Sequence, residues 1–196
     1  MLLIRHGLND AVGRRITGWL PGWPLNAEGR RQVEDLSQRL AGRRIQAVYA
    51  SPLERARETA EAVARPHGVP VRVEDQLGEM RVGEWEGLTF EELAPRPEWQ
   101  RFNRARSTAP VPGGDMMIET QARMVRCLER LSALHQGETV AVVSHADPLR
   151  AALAHYLGIP LDLLQRFEIS PASVSVVEMG ETPRVLCMNH QGDLPV

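Results

Sequence analysis

Leu2-Leu3-Ile4-Arg5-His6-Gly7 is the stretch on which the fold turns. A short apolar run closed abruptly by charge reads as a strand buried on both faces, the pattern of a parallel sheet covered by helices. Its carboxyl end delivers a fixed cation, an imidazole and a glycine side by side. Ligands in such sheets bind beyond the carboxyl ends of the strands, and a glycine there is expected to let the backbone approach one.

Two later segments repeat the arrangement. Ile45 to Ala50 is an apolar strand followed by Ser51-Pro52-Leu53-Glu54, a capping-box pattern with proline, which predicts a helix starting at Ser51 and carrying Arg55 one turn on. Glu138 to Ser144 is a buried strand followed by His145 and by a helix over Pro148 to Gly158. Between them, Asn26 to Gly42 and Asp115 to Gln136 carry apolar residues at helical spacing, Val69 to Val73 is a short strand, and Gln76 to Gly114 is irregular, with helical pieces at Thr89 to Leu93 and Trp99 to Arg106. Val174 to Met179 and Arg184 to Met188 form a terminal antiparallel pair. The expected architecture is a three-layer α/β/α domain over residues 1–196, its sheet mainly parallel with an antiparallel edge strand.

Composition narrows the chemistry. The 196 residues carry a formal net charge of -2, which leaves no basic field for nucleic acid or an anionic membrane. All 23 basic residues are arginine, which excludes Schiff-base chemistry and lysine nucleophiles. Cys127 and Cys187 show no metal-binding or disulfide spacing, and no stretch has the length of a membrane span, so a cytoplasmic location is expected. The terminal strand pair offers an edge for a homodimer.

Four ordered segments resemble the histidine phosphatase superfamily, in its phosphoglycerate mutase-like branch. They are Leu3-Ile4-Arg5-His6-Gly7, Ser51 to Ala60, Leu77-Gly78-Glu79 with Gly83-Glu84-Trp85-Glu86-Gly87, and Val143-Ser144-His145. Thr17-Gly18-Trp19, Leu25-Asn26-x-x-Gly29 and Pro112-Gly113-Gly114 extend the resemblance over nearly the whole chain. It implies that His6 is the nucleophile toward phosphorus, that Arg5, Arg55 and His145 surround the phosphoryl oxygens, and that Glu79, ahead of its rivals Glu84 and Glu86, is the proton donor. The chemistry agrees: His6 attacks through a neutral nitrogen while its other nitrogen keeps a proton, His145 helps most as imidazolium, and a carboxyl beside a bound anion is raised toward neutral pH. Asn9, Thr17, Gly18 and the amide of Ala146 are candidate secondary contacts. No cofactor is implied, and the partner is a small-molecule phosphate ester.

The family's first motif often continues Glu-Thr or Glu-Ser, whereas this chain has Leu8-Asn9. Lysine, which contacts substrate in the mutases, is absent. A mutase needs a second anion pocket to retain its bisphosphate intermediate; Arg81, Arg101, Arg104 and Arg106 are candidates for one, yet hydrolysis is the simpler reading. A phosphate-binding module without turnover is a further alternative. A two-histidine, one-carboxylate metal site is opposed by Arg5 and Arg55, whose fixed charges repel a divalent ion.

Overall fold

The computed structural model describes residues 1–194. Six strands, β1 (Leu2–Arg5), β2 (Ala47–Ala50), β3 (Val71–Val73), β4 (Val140–Ser144), β5 (Val174–Glu178) and β6 (Arg184–His190), form one sheet in the order β3-β2-β4-β1-β5-β6. The pairs among β3, β2, β4 and β1 are parallel; β5 pairs antiparallel with β1 and with β6. The sheet is therefore mainly parallel, with its antiparallel part at one edge.

Alternation along the strands divides the core. Leu2, Ile4, Val48 and Val143 pack on one face against Leu36 and Leu40 of α1 (Ala27–Leu40) and Ala60 and Val63 of α2 (Glu54–Ala64). Leu3, Tyr49, Val140 and Val142 pack on the other against Leu128 and Leu131 of α5 (Met117–Leu134) and Leu149 and Leu153 of α6 (Ala146–Leu157). Each such side chain contributes roughly 1.5–3 kcal/mol when fully buried. A third cluster, including Met80, Trp85, Leu93 and Phe102, lies under the irregular segment, which holds the short helices α3 (Phe90–Leu93) and α4 (Pro97–Arg104).

Local chemistry sets the helix ends. The Asn26 side chain accepts from the Gly29 N–H at 2.8 Å to start α1, and Thr89 with Glu92 closes a capping box on α3. Three details depart from expectation. Helix α1 stops at Leu40, before Gly42, and Ile118, at helical spacing from Val125 and Leu128 in the Asp115 to Gln136 segment, is nonetheless 45% exposed. Helix α2 begins at Glu54, not at Ser51, and the expected box does not close: locally Ser51 Oγ accepts from the Leu53 N–H at 3.3 Å. Ser51 Oγ hydrogen-bonds His145 at 2.7 Å, and Glu54 Oε2 accepts from the Gly22 and Trp23 N–H groups at 3.0 Å. Gly7 is required by packing and not by an approaching ligand: a Cβ there would lie 2.7 Å from Val33 Cγ1 and 2.9 Å from the Gly29 carbonyl oxygen on α1.

Candidate active site

Three parallel strands end together, and the site is built on that fact. Arg5 stands in register with Ser144, and Ala50 with Val143. The next residues continue the ladder: the His6 N–H donates to the Ser144 carbonyl, and the Ser51 N–H to the Val143 carbonyl, each at 3.0 Å. His6 and His145 thereby come edge to face, with ring centroids 5.1 Å apart. Thr59 ties α2 to the same corner, accepting from the Gly7 N–H at 3.0 Å and donating to the Arg55 carbonyl at 2.7 Å.

His6 is buried, and its Nδ1 lies 2.7 Å from the Gly7 carbonyl oxygen. A carbonyl only accepts, so Nδ1 carries the proton and Nε2 keeps its lone pair. Burial, then the charges of Arg55 and Arg5, hold the imidazole pKa well below its usual value, so the ring is neutral. Arg5 donates to the Ile169 carbonyl at 2.6 Å; Arg55, also buried, donates to the Gly18 carbonyl at 3.0 Å. Among the described residues neither guanidinium is in an ion pair, which leaves positive charge facing His6.

His145 is fully buried; it lies against His6 but not on the cavity surface. Its expected imidazolium form is not the resting state. Burial first, then Arg55, His6 and Arg5, depress its pKa well below the usual value, although Glu79 Oε2 lies 3.9 Å from Nδ1. Glu79 does not offset those charges because it is itself held toward the neutral form. Burial and the nearby Asp147 raise its pKa to about 7, against the lowering pull of the Met80 N–H, Arg55 and Arg5. Its position is fixed through its backbone: the Glu79 carbonyl accepts from Trp19 Nε1 at 2.7 Å and from Arg123 at 3.2 Å.

A cavity of about 400 Å³ opens over Arg5, His6, Arg55 and Glu79. Asn9, Thr17, Gly18 and Ala146 also line it. Asn9 is already committed, its Oδ1 accepting from the Ala11 and Val12 N–H groups at 3.1 and 3.2 Å, and the Gly18 carbonyl serves Arg55. Glu84 and Glu86 stand outside the lining, and Glu86 accepts from the Trp19 N–H. Of the four arginines considered for a second anion pocket, only Arg106 reaches the cavity, and Asp147 pairs with it at 3.1 Å. Sequence reasoning missed Asp147, Arg150, Glu168 and Phe90. Asp147 and Arg150 had a signal, being two and five residues beyond His145 on the helix that follows β4; Glu168 and Phe90 are brought in by tertiary structure alone. Among the described residues no group of three or more His, Cys, Asp or Glu side chains is placed to hold a metal ion, and no helix is long and apolar enough to cross a membrane.

The profile of the histidine phosphatase superfamily, branch 1, matches residues 1–190. A bifunctional protein of Mycobacterium tuberculosis is 39% identical over 182 residues, covering 91% of this chain and 50% of its own length. The chain thus spans about half the length of the curated relatives it first matches. Phosphoserine phosphatase 1 of Hydrogenobacter thermophilus is 32% identical over 190 residues, covering 95% of this chain and 89% of that protein. Among solved structures, YhfR of Bacillus stearothermophilus superposes with a TM-score of 0.90 at 30% identity, covering 96% of this chain and 95% of that one.

Proposed function

Because the chain belongs to the histidine phosphatase superfamily, branch 1, we propose that it hydrolyses small-molecule phosphate monoesters through a phosphohistidine at His6. The observation that carries this reading is the tautomer of His6: Nδ1 is tied to the Gly7 carbonyl, so the lone pair of Nε2 is free beside the guanidinium groups of Arg5 and Arg55, which donate to backbone carbonyls. A phosphate monoester brings close to two negative charges to that cup, and Arg5 and Arg55 balance them while charge spreads over the equatorial oxygens.

In the first step His6 Nε2 forms a bond to phosphorus as the phosphorus–oxygen bond to the alcohol breaks. The leaving oxygen takes the proton of Glu79, which is still held at neutral pH. In the second step water gives a proton to the Glu79 carboxylate and its oxygen attacks phosphorus, the nitrogen–phosphorus bond breaks, and inorganic phosphate leaves with His6 restored. His145 answers the arriving negative charge by taking up a proton, the reverse of its resting preference.

Relatives described as probable phosphoglycerate mutases match at similar identity, as in Serratia proteamaculans at 32% over 184 residues. The ion pairing of Arg106 favours hydrolysis over mutase transfer, which requires capture of a second anion. A small phosphate ester as partner, no nucleic acid, a cytoplasmic location, one domain and a homodimer paired through the β6 edge belong to the same proposal. The deciding experiment is His6→Ala against p-nitrophenyl phosphate. Turnover is expected to fall by about 10³-fold or more, with loss of an acid-labile phosphoenzyme seen in the wild type. Near-normal turnover in the variant would overturn the reading.

A further inference from the structure

Resting on that hydrolytic reading, we propose that the cavity beyond the phosphate cup is built for a neutral, ring-bearing alcohol: an aromatic wall faces its ring, and Arg106 and Arg150 beside it are already paired with acids. A cavity of about 400 Å³ is larger than a phosphoryl group needs, and falls in the roughly 300–1,000 Å³ range of sites that enclose a whole small organic molecule.

The aromatic wall is concentrated. The chain has four Trp, two Tyr and three Phe, and two of each of the Trp and Phe line this one cavity: Trp85, Trp99, Phe90 and Phe102. Their rings support one another, Trp85 with Trp99 and with Phe102 at 5.3 Å between centroids. Trp85 and Phe102 are buried and hold the others in place, while Phe90 is 39% exposed at the cavity. A rigid aromatic surface of this kind gains from a flat or apolar ring laid on it.

The polar wall alternates in charge. Arg106 pairs with Asp147 at 3.1 Å, Asp147 with Arg150 at 3.6 Å, and Arg150 with Glu168 at 2.6 Å. Arg106 is buried, and its second nitrogen donates to Asn103 Oδ1 at 3.1 Å. A second carboxylate or phosphate of the substrate placed at Arg106 or Arg150 would have to displace Asp147 or Glu168, leaving a displaced charge without its partner. Hydroxyl groups face no such conflict, since they can donate to the remaining lone pairs of the carboxylates and to the Gln165 amide oxygen, whose Nε2 is engaged with Asn103 at 2.7 Å. Arg15, in no ion pair of the lining, gives its guanidinium to the Gly87 carbonyl and lies 5.6 Å over the Trp23 ring.

The test compares three primary alkyl phosphates, which ask the same of Glu79: 2-phenylethyl phosphate, glycerol 3-phosphate and 3-phosphoglycerate. Expected kcat/KM falls in that order, with about tenfold or more between the first and the last. Trp99→Ala, or Phe90→Ala at the rim should the first variant fold poorly, lowers the ratio of phenylethyl to glycerol ester about fivefold. Glu168→Gln releases Arg150 and raises 3-phosphoglycerate relative to glycerol 3-phosphate several-fold. Equal rates on all three esters, or preference for 3-phosphoglycerate in the wild type, overturn the inference while leaving hydrolysis standing. No turnover of any ester, and no phosphoenzyme, overturns both.

Discussion

Glu79 and His6 are held in their neutral forms by the same burial, and pH therefore acts on them in opposite directions. The folded chain keeps a proton on Glu79 up to about pH 7, whereas the unfolded carboxyl loses it near its ordinary value of 4.5. Folded stability is consequently lost as pH rises through that interval. Glu79→Gln removes the cost. The variant is expected to match the wild type near pH 4 and to exceed it at pH 8 by up to about 3 kcal/mol, read from urea unfolding at the two pH values. His6 and His145, depressed below the usual imidazole value, contribute stability that is complete above about 6.5 and is lost as pH falls further. In turnover, Glu79→Gln is expected to slow alkyl phosphates by about 10²-fold and p-nitrophenyl phosphate far less, because nitrophenolate leaves without a proton. Equal losses on the two substrates would place the proton donor elsewhere.

Elements meet at the strand ends with little room, and Gly7 shows how little. Gly7→Ala pushes a methyl into Val33 and the first turn of α1, and is expected to cost about 1–3 kcal/mol in thermal or urea unfolding. At Ala172 the opposite holds. Its φ of 54° is left-handed, and its N–H donates to the carbonyls of Arg5 and His6 at 3.1 and 3.2 Å, so the strain is accepted where the strand end bearing His6 is secured. Ala172→Gly is expected to stabilise the chain by up to about 1 kcal/mol, in the same unfolding assay, with turnover preserved. These two positions mark what was legible. Periodicity and caps place the strands and helices, because the apolar alternation of Leu2 to Ile4 and the Asn26 cap are local facts. The Ser51 box does not close: its hydroxyl is shared between the Leu53 N–H and His145, ninety-four positions away, and Glu54 turns to the Gly22 and Trp23 N–H groups. The cup was readable from residues that follow strands, a position Arg150 shares on the helix after β4, whereas Glu168, on a loop, carries no local sign of its place in the wall.

At the scale of the whole molecule, buried unpaired cations make the site a source of instability that an anion relieves. Inorganic phosphate at one hundred times its Kd adds about 2.7 kcal/mol, which for a chain of this size raises Tm by roughly 5–10 °C. Arg55→Ala is expected to abolish the shift in scanning calorimetry, and its persistence would put the anion elsewhere. The sheet order adds a consequence in time. β1 sits between β4 and β5, although its residues are synthesised first. Emerging from the ribosome, the strand that bears His6 has neither neighbour until residues 140–144 and 174–178 follow. A nascent chain halted before then holds an apolar, unpaired strand within reach of chaperones and a histidine no more reactive than one in a free peptide. Reactivity is thus switched on only once residues 140–178 have emerged and β4 and β5 have paired with that strand.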